Sequence, residues 1–352
     1  MRSNSNTLKR VIERIVLLLV VACIDPSQID IPESDNILVV EGIITTDEGP
    51  YTVSLSRTAK FGSVFDGVIG RVTGALVLVR DNEGQVAEFT ETLEGIYQSP
   101  TDFRGEVGKT YTLQIETSLG ARYSSLPQTI IEGPEIDSVI VRYRRDPSAD
   151  PVNFVSGVEV FSQFQDPGDQ RNFFLWEIEG THIIRTFPER FSVPGPPRMP
   201  APKDCCDRCW INENLLNQSN VFSDEQLNGQ TITAPVGFLV DDGLRFTEKY
   251  YANVRQYSMN EEAFNFYTLI QSQVEIDGDL FDPPPARIRG NIINLDDPTE
   301  DIIGFFSAFG IQERAVFIDR DILEDSQRAV EILDDCRTLP TATIDPPDFW
   351  EF

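Results

Sequence analysis

Short segments of alternating apolar and polar residues follow one another through the first third of the chain. In Tyr51–Ser56 and Tyr111–Ile115 every second side chain is apolar or aromatic, whereas Ala75–Val79 is apolar throughout. Alternation is typical of a strand with one buried face, and a short apolar run is typical of a strand covered on both faces. Because turn sequences such as Asp81–Gly84 recur every 8–12 residues or so and no helical periodicity is convincing, the pattern predicts an immunoglobulin-like β-sandwich over residues 36–132.

A second β-rich, sandwich-like domain is predicted over residues 133–340. Its first strands are expected at Ile136–Tyr143, Val155–Phe164 and Asn172–Ile178. A proline-rich loop over residues 187–204 then leads to a group of cysteines. A loop of this length in a compact domain is usually functional or mobile, and an exposed insertion pinned by disulfides explains it equally well.

One or two short helices are expected within this second domain. Ser258–Glu261 fits a capping box, in which the first and fourth residues satisfy each other's backbone groups. Apolar residues then recur at helical spacing as far as Val274, and a strand over Tyr250–Tyr257 precedes the helix. Ala329–Cys336 is the candidate for a second helix.

The end of the chain predicts a hairpin and a tail. Gly304–Phe309 and Arg314–Ile318 are apolar stretches on either side of Gly310, which is where a hairpin would turn. Residues 341–352 form a proline-rich tail with three aromatic residues at its end. Those rings can dock on the body of the protein or on a partner, and the sequence leaves both alternatives open.

The chain begins with a basic segment and an apolar run, Ile15–Ala22, that ends at Cys23. This combination is typical of a secretory signal, and Val20–Cys23 looks like a lipobox, which marks a cysteine for attachment of diacylglycerol and for cleavage before it. The run is far shorter than the roughly 20 residues that cross a bilayer as a helix. We therefore predict a lipoprotein signal peptide over residues 1–22, lipidation of Cys23 and a tether over residues 23–35; a buried N-terminal helix and cleavage without lipidation are the alternatives.

The charge of the chain limits its partners. Its 57 acidic and 29 basic residues give a formal net charge of −28. Such a field repels nucleic acid and anionic lipid head groups and favours cationic or neutral partners.

The residues offer no recognisable catalytic set. The single histidine, His182, has the flanks of an ordinary strand end, which argues against a histidine-based metal or acid–base site. No nucleophile elbow, phosphate-binding loop, zinc-protease helix or EF-hand loop appears in the sequence. We therefore expect no enzyme, no cofactor and no metal site.

Acidic residues leave two possibilities open. Asp166–Asp169 and Asp296–Asp301 could bind Ca²⁺ in an extracellular setting, although acidic residues are also common in plain turns. A pair of carboxyl groups of the glycosidase type is compatible with the sequence but is not a specific signal among so many acidic residues.

Four cysteines remain when Cys23 is set aside, namely Cys205, Cys206, Cys209 and Cys336. An even number in an exported chain predicts disulfides. Because a bridge between the adjacent Cys205 and Cys206 is strained, we expect Cys336 to pair with one of them and Cys209 with the other. A zinc site using the Cys206-x-x-Cys209 spacing is the alternative, which export and the lack of a second ligand pair oppose.

A series of short motifs follows a fixed order along the chain. They are Val39–Gly42, Tyr51–Ser56, Gly74–Val77, Asp81–Gly84, Gly95–Tyr97, Gly108–Tyr111, Ile136–Val139, Trp176, Cys209–Trp210, Gly290–Ile292 and Gly304–Ala308. No single motif is specific, but the ordered set resembles the DUF4249 family of Bacteroidota lipoproteins over the whole mature chain. Phe305 stands where the family pattern tends to tyrosine.

The resemblance implies an outer-membrane lipoprotein, on the periplasmic or the cell-surface face, held to the membrane by the lipid on Cys23. It implies a non-enzymatic accessory or binding subunit of a TonB-dependent receptor barrel, and it transfers no catalytic residue. A cell-envelope glycan or peptide hydrolase that uses carboxylates and a surface adhesin are the alternative functions.

Overall fold

A computed structural model of the protein describes residues 37–58, 70–146, 154–168, 170–215, 220–274 and 288–350. The predicted signal peptide, Cys23 and the tether lie outside these residues. All described residues fall within one compact unit. The fold is mainly β and sandwich-like, which confirms the predicted class, and the described part contains one α-helix, α1, Glu261–Val274.

The strands of the first 130 residues are short and follow the predicted alternation. They are β1 Leu38–Thr45, β2 Thr52–Arg57, β3 Gly70–Arg71, β4 Leu76–Asp81, β5 Val86–Leu93, β6 Ile96–Gln98, β7 Thr110–Glu116, β8 Arg122–Ser125 and β9 Gln128–Thr129.

The later strands are longer. They are β10 Ser138–Asp146, β11 Val155–Gln165, β12 Phe173–Arg185, β13 Ser192–Val193, β14 Met199–Pro200, β15 Arg208–Asn214, β16 Asn220–Ser223, β17 Thr231–Val240, β18 Lys249–Met259, β19 Ile292–Asn294, β20 Ile302–Asp319 and β21 Ala342–Thr343.

A single 16-stranded sheet runs through both halves of the chain. Its main path has the order β19-β8-β7-β4-β5-β6-β2-β1-β20-β18-β12-β15-β21, with β3, β9 and β16 paired beside it. Strands β10, β11 and β17 form a separate three-stranded sheet, and β13 pairs with β14.

Strand β20 joins the two halves, and the predicted hairpin around Gly310 is wrong. Its 18 residues run without a turn, parallel to β1 as far as Phe309 and antiparallel to β18 from Gly310 onward. Glycine is needed at position 310 for space rather than for a turn, because a Cβ atom there would lie 2.1 Å from the carbonyl oxygen of Ile131. The glycine therefore allows a crossing chain to approach the strand.

Two large cores are present: the first draws residues from both sides of the predicted boundary between residues 132 and 133, and the second lies wholly after it. The first packs side chains of β1, β2, β4 and β7 against Phe306 of β20. The second packs the three-stranded sheet against β12 and β18 and includes Ile318 of β20. One strand thus supplies side chains to both cores, and the division into two domains stays a prediction.

The burial of β4 corrects one expectation about the first domain. Val77 and Val79 are buried in the first core, but Leu76 is 44% exposed. The other face of the strand is thus only partly covered, since Leu78 is half-buried and Leu76 is exposed.

Helix α1 follows β18 as predicted, but its cap differs. Asn260 caps the helix, since its Oδ1 accepts a hydrogen bond from the backbone N–H of Ala263 at 2.8 Å. Ser258, which the capping box placed there, still belongs to β18 and lies opposite Gly310. The strand pairing extends two residues further than the sequence pattern indicated.

The second predicted helix, Ala329–Cys336, is also wrong. Ile332 forms an isolated parallel bridge with Thr186 and accepts a hydrogen bond from the backbone N–H of Phe187. Pairing with a neighbouring strand end holds this segment extended, and only Cys336–Thr338 forms a single 3₁₀ turn.

Candidate functional site

The structure contains two disulfides and corrects their expected pairing. Cys209 bridges Cys336, with 5.8 Å between the two Cα atoms, and Cys205 bridges its neighbour Cys206. Cys209 lies in β15 opposite Ile184 of β12, and both it and Cys336 are fully buried. Cys209 and Cys336 thus meet in a small buried cluster that includes Ile184, and Cys205 and Cys206 pair with each other.

His182 lies inside β12 and belongs to the second core. It is 4% exposed, and its ring stacks on Tyr250 with 5.8 Å between the centroids. Its Nδ1 is 3.8 Å from Oε1 of Glu213 and makes no hydrogen bond in the described structure, whereas that oxygen accepts hydrogen bonds from Arg245 at 2.7 Å and from Tyr250 at 2.9 Å. Burial lowers the pKa of His182, so the imidazole is neutral at neutral pH.

The two acidic turns differ in what holds their carboxylates. In Asp296–Asp301, Asp296 pairs with the guanidinium of Arg122 at 2.6 Å and accepts the backbone N–H of the same residue. Asp166, in the other turn, is buried and bound by backbone N–H groups, whereas Asp169 lies outside the described residues.

A strip of polar side chains crosses the outer face of the central strands. We call it the polar strip; it consists of Glu177 and Glu179 of β12, Asn253 and Arg255 of β18, and Glu313 of β20. In the strand register Arg255 lies opposite Glu177 on one side and Glu313 on the other. Because side chains alternate across a sheet, the residues between these positions point into the second core.

Ion pairs fix the side chains of the polar strip. Arg255 donates to Oε1 of Glu179 at 2.8 Å and pairs with Asp47 from the loop between β1 and β2. Asn253 donates to Oε2 of Glu313 at 3.2 Å. The Arg255 side chain is 20% exposed, whereas those of Glu179 and Glu313 are 41% and 56% exposed. The strip thus offers several accessible carboxylates around one half-buried guanidinium.

Glu177 differs from the other carboxyl groups of the strip. Burial raises its pKa, and a 2.8 Å hydrogen bond from the hydroxyl of Tyr257 and the charge of Arg255 only partly oppose the shift. Its neighbour Glu179, two residues away on the same face, is bound directly to Arg255. The two neighbouring carboxyl groups of β12 therefore have different direct partners, a tyrosine hydroxyl and a guanidinium.

Aromatic clusters border the polar strip on both sides. On one side α1 covers a cluster that contains Phe173, Phe305 and Phe309 of the sheet. On the other side Trp350 is buried beside Trp210, and Phe349 stacks on Tyr251 with 4.1 Å between the centroids. The tail therefore docks on the body of the protein, the first of the two alternatives that the sequence left open.

The polar strip is visible in the sequence only as a local pattern. Its local signal is present, because Glu177 and Glu179 alternate with buried residues, as do Asn253 and Arg255. The sequence could not show that β12 and β18, which are more than 60 residues apart at every paired position, lie side by side.

Two kinds of feature are absent from the described part of the chain. No group of three or more His, Cys, Asp and Glu side chains in this part of the chain is placed to hold a metal ion. Within the same ranges, no helix combines the length and the apolar character needed to span a membrane.

Comparison with known proteins gives a family match over most of the chain. A family model described as a domain of unknown function, DUF4249, matches residues 24–315. This range includes the whole polar strip and most of both cores, and it ends within β20, before Ile318 of the second core. No curated protein matches the sequence.

Proposed function

The chain belongs to the DUF4249 family, and on that premise we propose that it is a lipid-anchored protein of the cell envelope that binds a partner through the polar strip. In this proposal it is not an enzyme, and its partner is a TonB-dependent receptor of the outer membrane. The protein then acts as an accessory or binding subunit of that transporter.

The geometry of the polar strip supports a binding role. Ion pairs and hydrogen bonds hold Glu179, Asn253, Arg255 and Glu313 in place before any partner arrives. A surface whose side chains are already ordered loses less conformational entropy on association. The excess of carboxylates suits a partner that presents cationic groups or hydrogen-bond donors.

The lipid anchor is supported by the sequence. The basic segment, the short apolar run and the lipobox-like Val20–Cys23 all precede residue 24, where the family match begins. A single lipid chain binds membranes weakly, whereas two or more chains hold a protein stably. Diacylglycerol on Cys23 would therefore keep the folded unit at the membrane surface.

A labelling experiment tests the anchor by itself. We expect cells that produce the full chain to incorporate radioactive palmitate into it, and Cys23→Ala to abolish the label and release the protein from the membrane fraction. Incorporation that is equal in the wild type and Cys23→Ala would contradict the anchor.

A pull-down from native membranes, followed by quantitative mass spectrometry, tests the partner. We expect the wild type to recover a TonB-dependent receptor, and the charge reversals Glu179→Lys and Glu313→Lys together to lower the recovery about tenfold or more, because accessible charges contribute to recognition.

The matched control changes the net charge equally but at another place. Glu88→Lys and Glu94→Lys together alter exposed positions in and beside β5, away from the polar strip, and should recover the receptor as the wild type does. Recovery of the lipoprotein alone, or equal recovery by both double variants, would refute the proposed interaction.

A second candidate function, a carboxylate-based envelope hydrolase, is favoured by Glu177 and Glu179. Hydrolysis by carboxyl groups needs a general acid with a raised pKa and a second carboxyl group nearby, and Glu177, whose pKa is raised by burial, lies two residues from Glu179 on the same face of β12. Release of products from envelope glycans or peptides by the wild type, with loss of at least a hundredfold in Glu177→Gln, would support this function. Equal product formation by both proteins would eliminate it.

A further inference from the structure

The polar strip continues into an aromatic patch on the same face of the sheet. The aromatic patch consists of Trp210 of β15, Tyr251 of β18 and Phe317 of β20, together with Ile183 of β12. Tyr251 lies two residues from Asn253 of the polar strip and opposite Phe317 in the strand register. Because residues two apart point to the same face of a strand, the strip and the patch form one continuous surface.

The C-terminal tail covers the aromatic patch. The ring of Trp350 packs against Trp210, with 6.2 Å between the centroids, and against Phe317, with 5.5 Å. Phe349 stacks on Tyr251. The patch therefore has an occupant from the same chain, and the side chains of that occupant are aromatic.

Few contacts hold the tail in place. After the Cys209–Cys336 bridge, the chain pairs with β15 through only the two residues of β21. Among residues 341–350 only Trp350 is buried, and Phe349 is 44% exposed although its ring is stacked. The backbone N–H of Trp350 forms its hydrogen bond within the tail. One buried side chain therefore provides most of the anchoring of the described tail beyond β21.

Docking of the tail leaves two hydrogen-bond donors without acceptors. The indole N–H groups of Trp210 and Trp350 are both buried, and neither has a hydrogen-bond partner in the described structure. A buried donor without an acceptor is unfavourable, whereas water can accept a hydrogen bond from each group when the tail is released. The docked tail is therefore held less firmly than the packing of its rings alone indicates.

The combined surface indicates the chemistry of a partner. The aromatic patch accepts aromatic rings, and Arg208 and Lys249 stack over Trp210 and Phe317 within it. The polar strip adds carboxylates, which suit cationic groups or hydrogen-bond donors. Aromatic side chains in well-packed pockets are among those that contribute most to binding between proteins. A partner segment with an exposed aromatic residue beside cationic groups therefore fits this surface.

We propose that the aromatic patch belongs to the partner-binding surface and that the C-terminal tail competes with the partner for it. In the free protein Trp350 occupies the patch, and a partner segment that presents an aromatic side chain beside cationic groups displaces it. This inference rests on the proposed function, since it extends the surface that binds the receptor and adds a regulatory element to it. The fraction of molecules with an open patch then sets the apparent affinity for the partner.

A synthetic peptide with the sequence of residues 344–352 tests the patch without the receptor. Trp350→Ala in the full chain removes the buried ring, and we expect this variant to bind one peptide per chain in calorimetric titration. The wild type should bind the peptide about tenfold more weakly or less, because its apparent affinity is reduced by the fraction of molecules with an open patch. The peptide with Trp350→Ala should bind neither protein.

The pull-down from native membranes tests the competition. We expect Trp350→Ala to recover about fivefold more TonB-dependent receptor than the wild type, because more molecules have an open patch, and excess peptide to reverse the gain. Ile344→Ala is the matched control, since it shortens an apolar tail residue that is 50% exposed, and it should recover the receptor as the wild type does. If Trp350→Ala does not fold, Phe349→Ala weakens the same docking and provides the same comparison.

The outcomes separate this inference from the proposed function. Absence of peptide binding by the variant, or receptor recovery by Trp350→Ala that is equal to or lower than that of the wild type, would overturn the competition by the tail. Peptide binding by Trp350→Ala without receptor recovery by any protein would refute the receptor as the partner, while supporting the aromatic patch as a binding surface.

Discussion

Single carboxyl groups in this protein behave according to what surrounds them. Burial alone would raise the pKa of Glu213, but the hydrogen bonds and charge of Arg245 outweigh burial and leave the pKa lowered. Glu177 is buried with a tyrosine hydroxyl as its direct partner, and its pKa is raised. Asp224 has a raised pKa through burial and through the adjacent Asp166. The residue type alone therefore does not indicate the charge.

His182 gives a prediction at this scale, because it is the only histidine and so gives one imidazole signal. Burial lowers its pKa below the ordinary 6.5, and we expect NMR to show a neutral ring at pH 6.5 that titrates only at lower pH. The unfolded chain binds this proton first, so the stability of the wild type should fall as the pH drops below about 6.5. An imidazole that titrates at or above pH 6.5 would contradict the buried position.

At the scale of elements, tertiary contacts set where helices and strands end. Helix α1 exists where the periodicity placed it, but pairing of β18 with β20 extends through Ser258 and moves the cap to Asn260. Strand β20 continues through Gly310 for the same reason, since β1 and β18 supply pairing partners on successive segments. A neighbouring strand thus overrides a local turn or cap signal.

The cap can be tested with two alanine substitutions. Asn260→Ala should lower the free energy of unfolding by about 1–2 kcal/mol, since it removes the acceptor for Ala263 and a hydrogen bond to Gln128. Ser258→Ala should be within about 0.5 kcal/mol of the wild type, because the Ser258 hydroxyl has no hydrogen-bond partner in the described structure. Urea denaturation measures the free energy of unfolding of both variants. A larger decrease in Ser258→Ala than in Asn260→Ala would show that Ser258 caps the helix, as the capping box predicted.

At the scale of the whole molecule, long-range links hold the last third of the chain to the body. The Cys209–Cys336 bridge joins β15 to a segment 127 residues later. The tail adds Trp350, which packs at the edge of Trp210 and Phe317. The C-terminal segment therefore packs as part of the folded unit.

The two disulfides should differ greatly in their effect on stability. In the chain-entropy account, closing a loop of 127 residues stabilises the fold by up to about 5 kcal/mol. We expect the double variant Cys209→Ala, Cys336→Ala to have a free energy of unfolding that is lower by several kcal/mol, as measured by urea denaturation. The double variant Cys205→Ser, Cys206→Ser should show a much smaller decrease, because adjacent residues close almost no loop. Similar losses in both double variants would contradict the pairing.

The sequence by itself determined the β class, most strands, the strand–helix unit at β18 and α1, and the family, because alternation and turn residues act over a few neighbouring positions. Only the tertiary structure decided the path of β20, the bridge between Cys209 and Cys336, and the polar strip. Each of these joins residues that are far apart in the chain, and which strands become neighbours depends on how the two cores pack. The local pattern of apolar and polar residues does not indicate which strands become neighbours.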